Sequence, residues 1–169
     1  LDSNEIPVCD GSSIQFIEEL EKVTLQEQDS YKKFLKIKKN IEVVDGNKCA
    51  RVSPFDNTLI TTDIEFNHKL IGKQSISLIL NPEIYKSQIS SARTFGFLKD
   101  VENLRKSGLA LGGSLDNAIV LDENQVLNKD GLRFSDEFVR HKLLDFIGDI
   151  SLSGFRILGS FYSSHTGHD

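Results

Sequence analysis

Three side chains in one short stretch have the types and spacing to do chemistry together. In DEFVRHKLLDFIGD, residues 136–149, His141, Asp145 and Asp149 recur every four positions. On a helix, residues four apart stand one above the other, so an imidazole and a carboxylate can converge on one point. A neutral imidazole nitrogen and a carboxylate oxygen are both good Zn²⁺ ligands. The same pattern also describes a solvated polar helix face carrying a His–Asp pair, and spacing alone leaves both readings open. The last residues, Ser163-Ser164-His165-Thr166-Gly167-His168, form a second cluster. An imidazole titrates near neutrality, so His168 could donate a proton to a leaving amine; a polar loop after a strand is the plainer alternative. No G-x-S-x-G elbow accompanies these serines, so a serine-hydrolase reading is weak.

Other segments are less specific. Thr94-Phe95-Gly96-Phe97 sets two aromatics around a glycine, and Gly112-Gly113-Ser114 precedes Ala118-Ile119-Val120. Phe95, Phe97, Val101, Ala118 and Val120 could form an apolar wall for a lipid chain, and by residue type they fit a core equally well. The Gly-Gly-Ser turn lacks the rest of a phosphate-binding loop. His68, beside Asn67, reads as a loop residue. Lysines 32, 33, 36, 38 and 39 interleave with Phe34, Leu35 and Ile37, as on a strand with one charged face.

The elements that must position these groups follow from periodicity. The helix over 136–149 puts Val139, Leu143, Phe146, Ile147 and Ile150 on the side opposite His141, a normal core stripe. Residues 4–8 read as a short strand, and IQFIEELEKV from Ile14 as an amphipathic helix capped by Ser12 or Ser13. Runs 34–44 and 48–55 read as strands joined by Asp45-Gly46-Asn47, a tight-hairpin signal. Further strands are expected at 58–66, 75–80, 117–121, 125–127 and 155–162. Asn81-Pro82 should open a helix to about Ser90, and 101–106 a short one ended by Gly108. Paired strands with added helices give an α+β class with a largely antiparallel sheet.

The 169 residues amount to about one domain, and a net charge of −5 argues against a nucleic-acid binder. Cys9 and Cys49 show no metal-binding or disulfide spacing and fit two reduced thiols of a cytosolic protein. No apolar run approaches the roughly 20 residues of a membrane span. Neither end has the look of a natural terminus, so both are expected to be cut edges.

Several long strings in this chain resemble, in order and spacing, the UDP-3-O-acyl-N-acetylglucosamine deacetylase family. They are EIPVCDGS at 5–12, ISSARTFGF at 89–97, GLALGGSLDNAIVLDENQVLNKDGLRF at 108–134, DEFVRHKLLDFIGD at 136–149 and the closing Gly167-His168. The resemblance implies two α+β domains, each a two-layer sheet-and-helix sandwich. Residues 1–30 would end the first, and residues 31–169 would form most of the second, with a βαβ insert at about 94–121. It implies one catalytic Zn²⁺, with His141 and Asp145 as two ligands. His168 would stabilise the oxyanion and protonate the leaving amine, oriented by Asp149. Thr94 and Lys142 would contact substrate, while Phe95, Phe97, Gly113, Ser114, Ala118 and Val120 would line an acyl passage.

The implied reaction is zinc-dependent removal of the N-acetyl group from a UDP-linked acylated glucosamine, releasing acetate. This is the committed step of lipid A biosynthesis in the cytoplasm of Gram-negative-type bacteria. A monomer with a small-molecule substrate, no nucleic acid and no membrane span is expected. In the family a Glu-His pair in the first domain supplies the general base and the third ligand, and no Glu-His dipeptide occurs here. The 169 residues alone are therefore expected to bind zinc weakly and to be inactive. A non-catalytic acyl-binding module is the alternative, and a purely structural domain a third reading.

Overall fold

The computed structural model describes residues 6–101 and 112–165. It opens with a turn and helix α1 (Ile14–Glu21), followed by β1 (Phe34–Lys36), β2 (Ile41–Asp45), β3 (Lys48–Ser53), β4 (Thr58–Phe66) and β5 (Gly72–Ile79). A short helix, α2 (Pro82–Ile84), runs into a π-turn at Tyr85–Ile89. The short strands β6 (Phe95–Phe97) and β7 (Ile119–Leu121) come next, then the long helix α3 (Glu137–Ser151) and β8 (Arg156–Ser164). The class is α+β, as expected.

The main sheet is organised around β8. One edge of β8 pairs in parallel with β4, which pairs antiparallel with β5. The other edge is shared: β1 takes residues 156–158 in parallel, and β3 takes 160–164 antiparallel, with β2 beyond it. The sheet is largely antiparallel, as expected, with two parallel pairings that both involve β8. The long connection through α3 returns β8 beside β4 in the same direction, which a tight hairpin could not do. The shared edge also breaks the expected 34–44 run in two, because β1 and β2 have different partners.

Turn chemistry explains several local details. Gly46 has φ +57° at the first of the two loop residues between β2 and β3, where glycine is favoured. Asn81 caps α2 by accepting the Ile84 amide at 2.8 Å, with Pro82 in the first turn. The expected strand at 125–127 reduces to one bridge, Leu121–Val126, because the Asp122 carboxylate accepts the amides of Asn124 and Gln125 and folds a turn. The expected strand at 4–8 is not seen at residues 6–8, where Pro7 lacks an amide and no described strand pairs. Most of the expected helix at 101–106 lies outside the described residues. Helix α1 forms, but its apolar stripe is not core: Phe16, Leu20 and Val23 are exposed.

Helix α3 covers one face of the sheet. Ile60, Thr62 and Ile64 of β4 and Phe161 and Ser163 of β8 alternate inward and are buried beneath it. Two apolar clusters result. Phe138 and Val139 join Ile64, Ile71, Ile119 and Leu121, whereas Leu143 joins Ile60, Ile89 and Phe161. Full burial of each such side chain contributes about 1.5–3 kcal/mol. The opposite sheet face is polar, with Tyr162 and Ser75 donating to Asp63 and Thr61 bonded to Ser77. His141 therefore sits on a helix clamped at both ends by core.

Candidate active site

The face of α3 that carries His141 is not the solvated face its spacing allowed. His141 is only 9% exposed and Phe138 is fully buried. Burial, the largest influence, holds the imidazole pKa below its ordinary value, although Asp145 and the Ala92 carbonyl pull it upward. The ring is therefore neutral at pH 7, and its contact with Asp145 is not an ion pair.

Hydrogen bonding then fixes the tautomer. Nδ1 lies 3.0 Å from the Ala92 carbonyl oxygen, which can only accept, so Nδ1 carries the proton. Nε2 presents its lone pair to Asp145 Oδ1 at 3.4 Å. Two acceptors face each other with no proton between them, an arrangement that a cation would relieve. Two ligands of a tetrahedral Zn²⁺ with bonds of roughly 2.0–2.1 Å lie about 3.3–3.4 Å apart. The observed separation fits that edge. Lys142 donates to the other carboxylate oxygen, Oδ2, at 2.8 Å and so holds Asp145 in place.

Thr94 is positioned by backbone bonds on both sides. Its amide donates to the Gly11 carbonyl at 2.7 Å, and its carbonyl accepts from Ile119 at 2.7 Å. Gly11 belongs to the Cys9-Asp10-Gly11-Ser12 turn, which Arg133 ties down by pairing with Asp10 at 2.8 Å and donating to the Ser91 carbonyl. Burial raises the Asp10 pKa, but the Ser12 hydrogen bonds and Arg133 outweigh it and leave the carboxyl below its ordinary value. The N-terminal turn thus holds Thr94, the residue just before β6, in place.

The expected acyl-passage residues divide. Register pairs Phe95 with Ile119 and Phe97 with Leu121, so these side chains share one face of the small sheet. Both phenylalanines pack on the first core cluster. Val120, and Ala118 two residues before it, fall on the other face with Gly96. Gly113 and Ser114 are exposed in the preceding loop. A line of ring contacts runs from His141 to Phe95 (6.4 Å), Phe66 (5.6 Å), Phe97 (6.0 Å) and His68 (5.3 Å). It ends at a cleft of about 350 Å³ lined by His68, Phe97, Leu98, Lys99, Leu121 and Asp122. His68 is therefore not a plain loop residue, since its Nε2 bonds the Asp122 carbonyl at 2.9 Å.

Asp149 is exposed, two turns beyond His141 on the same face. His168 lies outside the described residues. Among the described residues, no three His, Cys, Asp or Glu side chains cluster as a complete metal site.

Comparison with known proteins shows the family. The family model described as LpxC, UDP-3-O-acyl N-acetylglycosamine deacetylase, matches residues 1–169. The chain belongs to this family. A UDP-3-O-acyl-N-acetylglucosamine deacetylase of Campylobacter lari is 54% identical over 167 residues, covering 99% of this chain and 56% of the relative. Those of Mannheimia succiniciproducens and Syntrophus aciditrophicus are each 49% identical, covering 99% of this chain and 56% and 53% of the relatives. The chain thus spans about half the length of these LpxC relatives. No helix among the described residues is long and apolar enough to cross a membrane.

One residue of the site was missed in the sequence. Glu137 extends the His141–Asp145–Asp149 face by one more turn toward the helix start, and it is fully buried. The four-residue spacing could have flagged it, but an acidic residue in a first helical turn is ordinary.

Proposed function

We propose that the full-length protein carrying this chain is a zinc-dependent deacetylase of a UDP-3-O-acyl-N-acetylglucosamine, acting in lipid A synthesis in the bacterial cytoplasm. The observation that carries this reading is the His141 Nε2 lone pair facing Asp145 Oδ1 at tetrahedral-edge distance. His141 and Asp145 would hold the metal, the first neutral and pre-oriented by Ala92, the second steadied by Lys142. When bound, Zn²⁺ supplies Lewis acidity toward a carbonyl and makes a nearby water more acidic.

The chain's own residues would do the remaining work. Thr94 stands beside the peptide that orients His141 and would contact the substrate acetamide. His168 would protonate the departing amine as its carbon–nitrogen bond breaks and water oxygen completes acetate, with Asp149 supporting the imidazolium. Lys142 would reach toward the sugar. An apolar path for the acyl chain would run along the small sheet, past Phe95 and Phe97 on one face and Ala118 and Val120 on the other, with Gly113 and Ser114 in the preceding loop. Among the described side chains, His141 and Asp145 would supply two ligands, and a catalytic zinc normally has three. Residues 1–169 by themselves are accordingly proposed to bind zinc weakly and to be inactive.

The test is acetate release from UDP-3-O-acyl-N-acetylglucosamine by the full-length protein, before and after chelation. Activity that is lost to chelator and restored by stoichiometric zinc is expected. Turnover unchanged in a metal-free preparation, or in His141→Ala, would overturn the reading.

A further inference from the structure

The buried carboxylate of Glu137 has no part in the reaction just proposed, yet it is the best-connected side chain beside it. It is fully buried and accepts four hydrogen bonds. Three come from Arg93: its amide at 3.0 Å, Nε at 2.9 Å and Nη2 at 3.2 Å. The fourth is the Arg133 amide at 2.6 Å. Arg93 spends a further donor on the Gly131 carbonyl at 2.8 Å.

The Arg93 amide matters most. It belongs to the same peptide unit as the Ala92 carbonyl, and that carbonyl accepts from His141 Nδ1 at 3.0 Å. In a trans peptide the N–H and C=O point in opposite directions, and no peptide among the described residues is cis. Glu137 and His141 stand one helical turn apart on the same face. One peptide plane is therefore gripped at both ends by consecutive turns of α3. The Glu137 carboxylate receives its N–H, and the His141 ring donates to its C=O. Hydrogen bonds in such a chain polarise one another, so a carboxylate on the N–H makes the C=O a stronger acceptor.

We infer that Glu137 is a positioning residue for the metal site, acting on His141 through the Ala92–Arg93 peptide. The inference rests on the zinc reading given above. Metal-binding histidines commonly donate their second ring nitrogen to a carboxylate or a carbonyl, and removing such a partner typically weakens metal affinity 10- to 100-fold. Here the two kinds of partner act in series. The carbonyl makes the contact, and the carboxylate behind it strengthens and aims that contact. Because the same carboxylate grips the residue before Thr94, ligand and substrate strand are set by one group.

A simpler role would be structural, the pairing of Arg93 with Glu137 serving only to hold the loop on the helix. Two variants of the full-length protein separate the roles. Glu137→Gln leaves Arg93 as a buried cation with a weakened partner, so it should lose stability as well as metal. Arg93→Gln combined with Glu137→Gln removes both charges, leaves no unpaired buried ion, and should therefore cost less stability than Glu137→Gln alone. Zinc affinity is read by competition with a chelator, folding by thermal melting, and the His141 Nδ1–H proton by NMR.

The expected result is that the double variant is folded and melts above Glu137→Gln, but binds zinc at least 10-fold more weakly than wild type. Its Nδ1–H resonance should also move upfield as the hydrogen bond to Ala92 weakens. A double variant with wild-type zinc affinity and an unmoved resonance would overturn the positioning role, whatever the single variant does. A wild-type protein that takes up no zinc would instead overturn the metal reading, and this inference with it.

Discussion

Gly11→Ala is the substitution whose cost can be worked most directly from the structure. Gly11 has φ +81°, and a Cβ there would stand 2.1 Å from the Asn117 carbonyl oxygen, 2.9 Å from its carbon and 3.1 Å from Thr94 Cγ2. Backbone cannot rotate away as a flexible side chain would. The left-handed conformation costs a non-glycine residue roughly 1–2 kcal/mol, and forcing the loop aside adds about 1–3 kcal/mol. The loop resists, because Asn117 binds Ser114 and Gly112 through its side chain, at 2.9 Å each. A total loss of about 2–5 kcal/mol should lower the Tm by roughly 5–15 °C. Gly46→Ala serves as the control, since Gly46 has φ +57° but nothing within 4 Å of a Cβ. It should cost only the conformational part, about 1–2 kcal/mol. Denaturant unfolding of both variants reads the two parts separately. Equal losses would refute the close approach between Gly11 and Asn117 and, with it, the turn's role in seating Thr94.

Thr62→Val should cost about 1–3 kcal/mol by leaving the buried Ser163 hydroxyl without its 3.0 Å partner, and adding Ser163→Ala should recover most of it, as read by chemical denaturation. Metal-free protein should lose stability as pH falls from 8 to 5.5. Burial lowers the His141 pKa in the folded state, so the unfolded chain, titrating near ~6.5, binds the extra proton first and the stability present above that pH is lost below it. A His141→Asn variant should flatten this profile in paired denaturation curves. Residues 1–169 expressed alone should bind zinc at least tenfold more weakly than the full-length protein in chelator competition, because a complete catalytic site commonly needs three protein ligands.

Helices and strands with strong local signals were legible in the sequence. The core stripe of α3, the Asn81-Pro82 start of α2 and the Asp45-Gly46-Asn47 turn each rest on neighbouring residues, and each forms where expected. What was not legible depends on distant partners. Nothing near Phe34 shows that β8 will pair with β1 along residues 156–158 and with β3 along residues 160–164. Residues 6–8 have β-prone types but no strand to join. At the site, the four-residue recurrence of His141 and Asp145 showed that they could meet. It could not show that the face would be buried, because that burial comes from Ala92 and Phe95, more than 40 positions earlier in the chain. Glu137 was invisible for the same reason, its meaning lying in a peptide bond brought to it by the fold.

The most direct test is the zinc content of the full-length protein compared with His141→Ala and Asp145→Ala, each shown by its melting curve to be folded. About one Zn²⁺ per wild-type chain and a large loss in both variants are expected. Equal, tightly held zinc in all three would contradict His141 and Asp145 as its ligands.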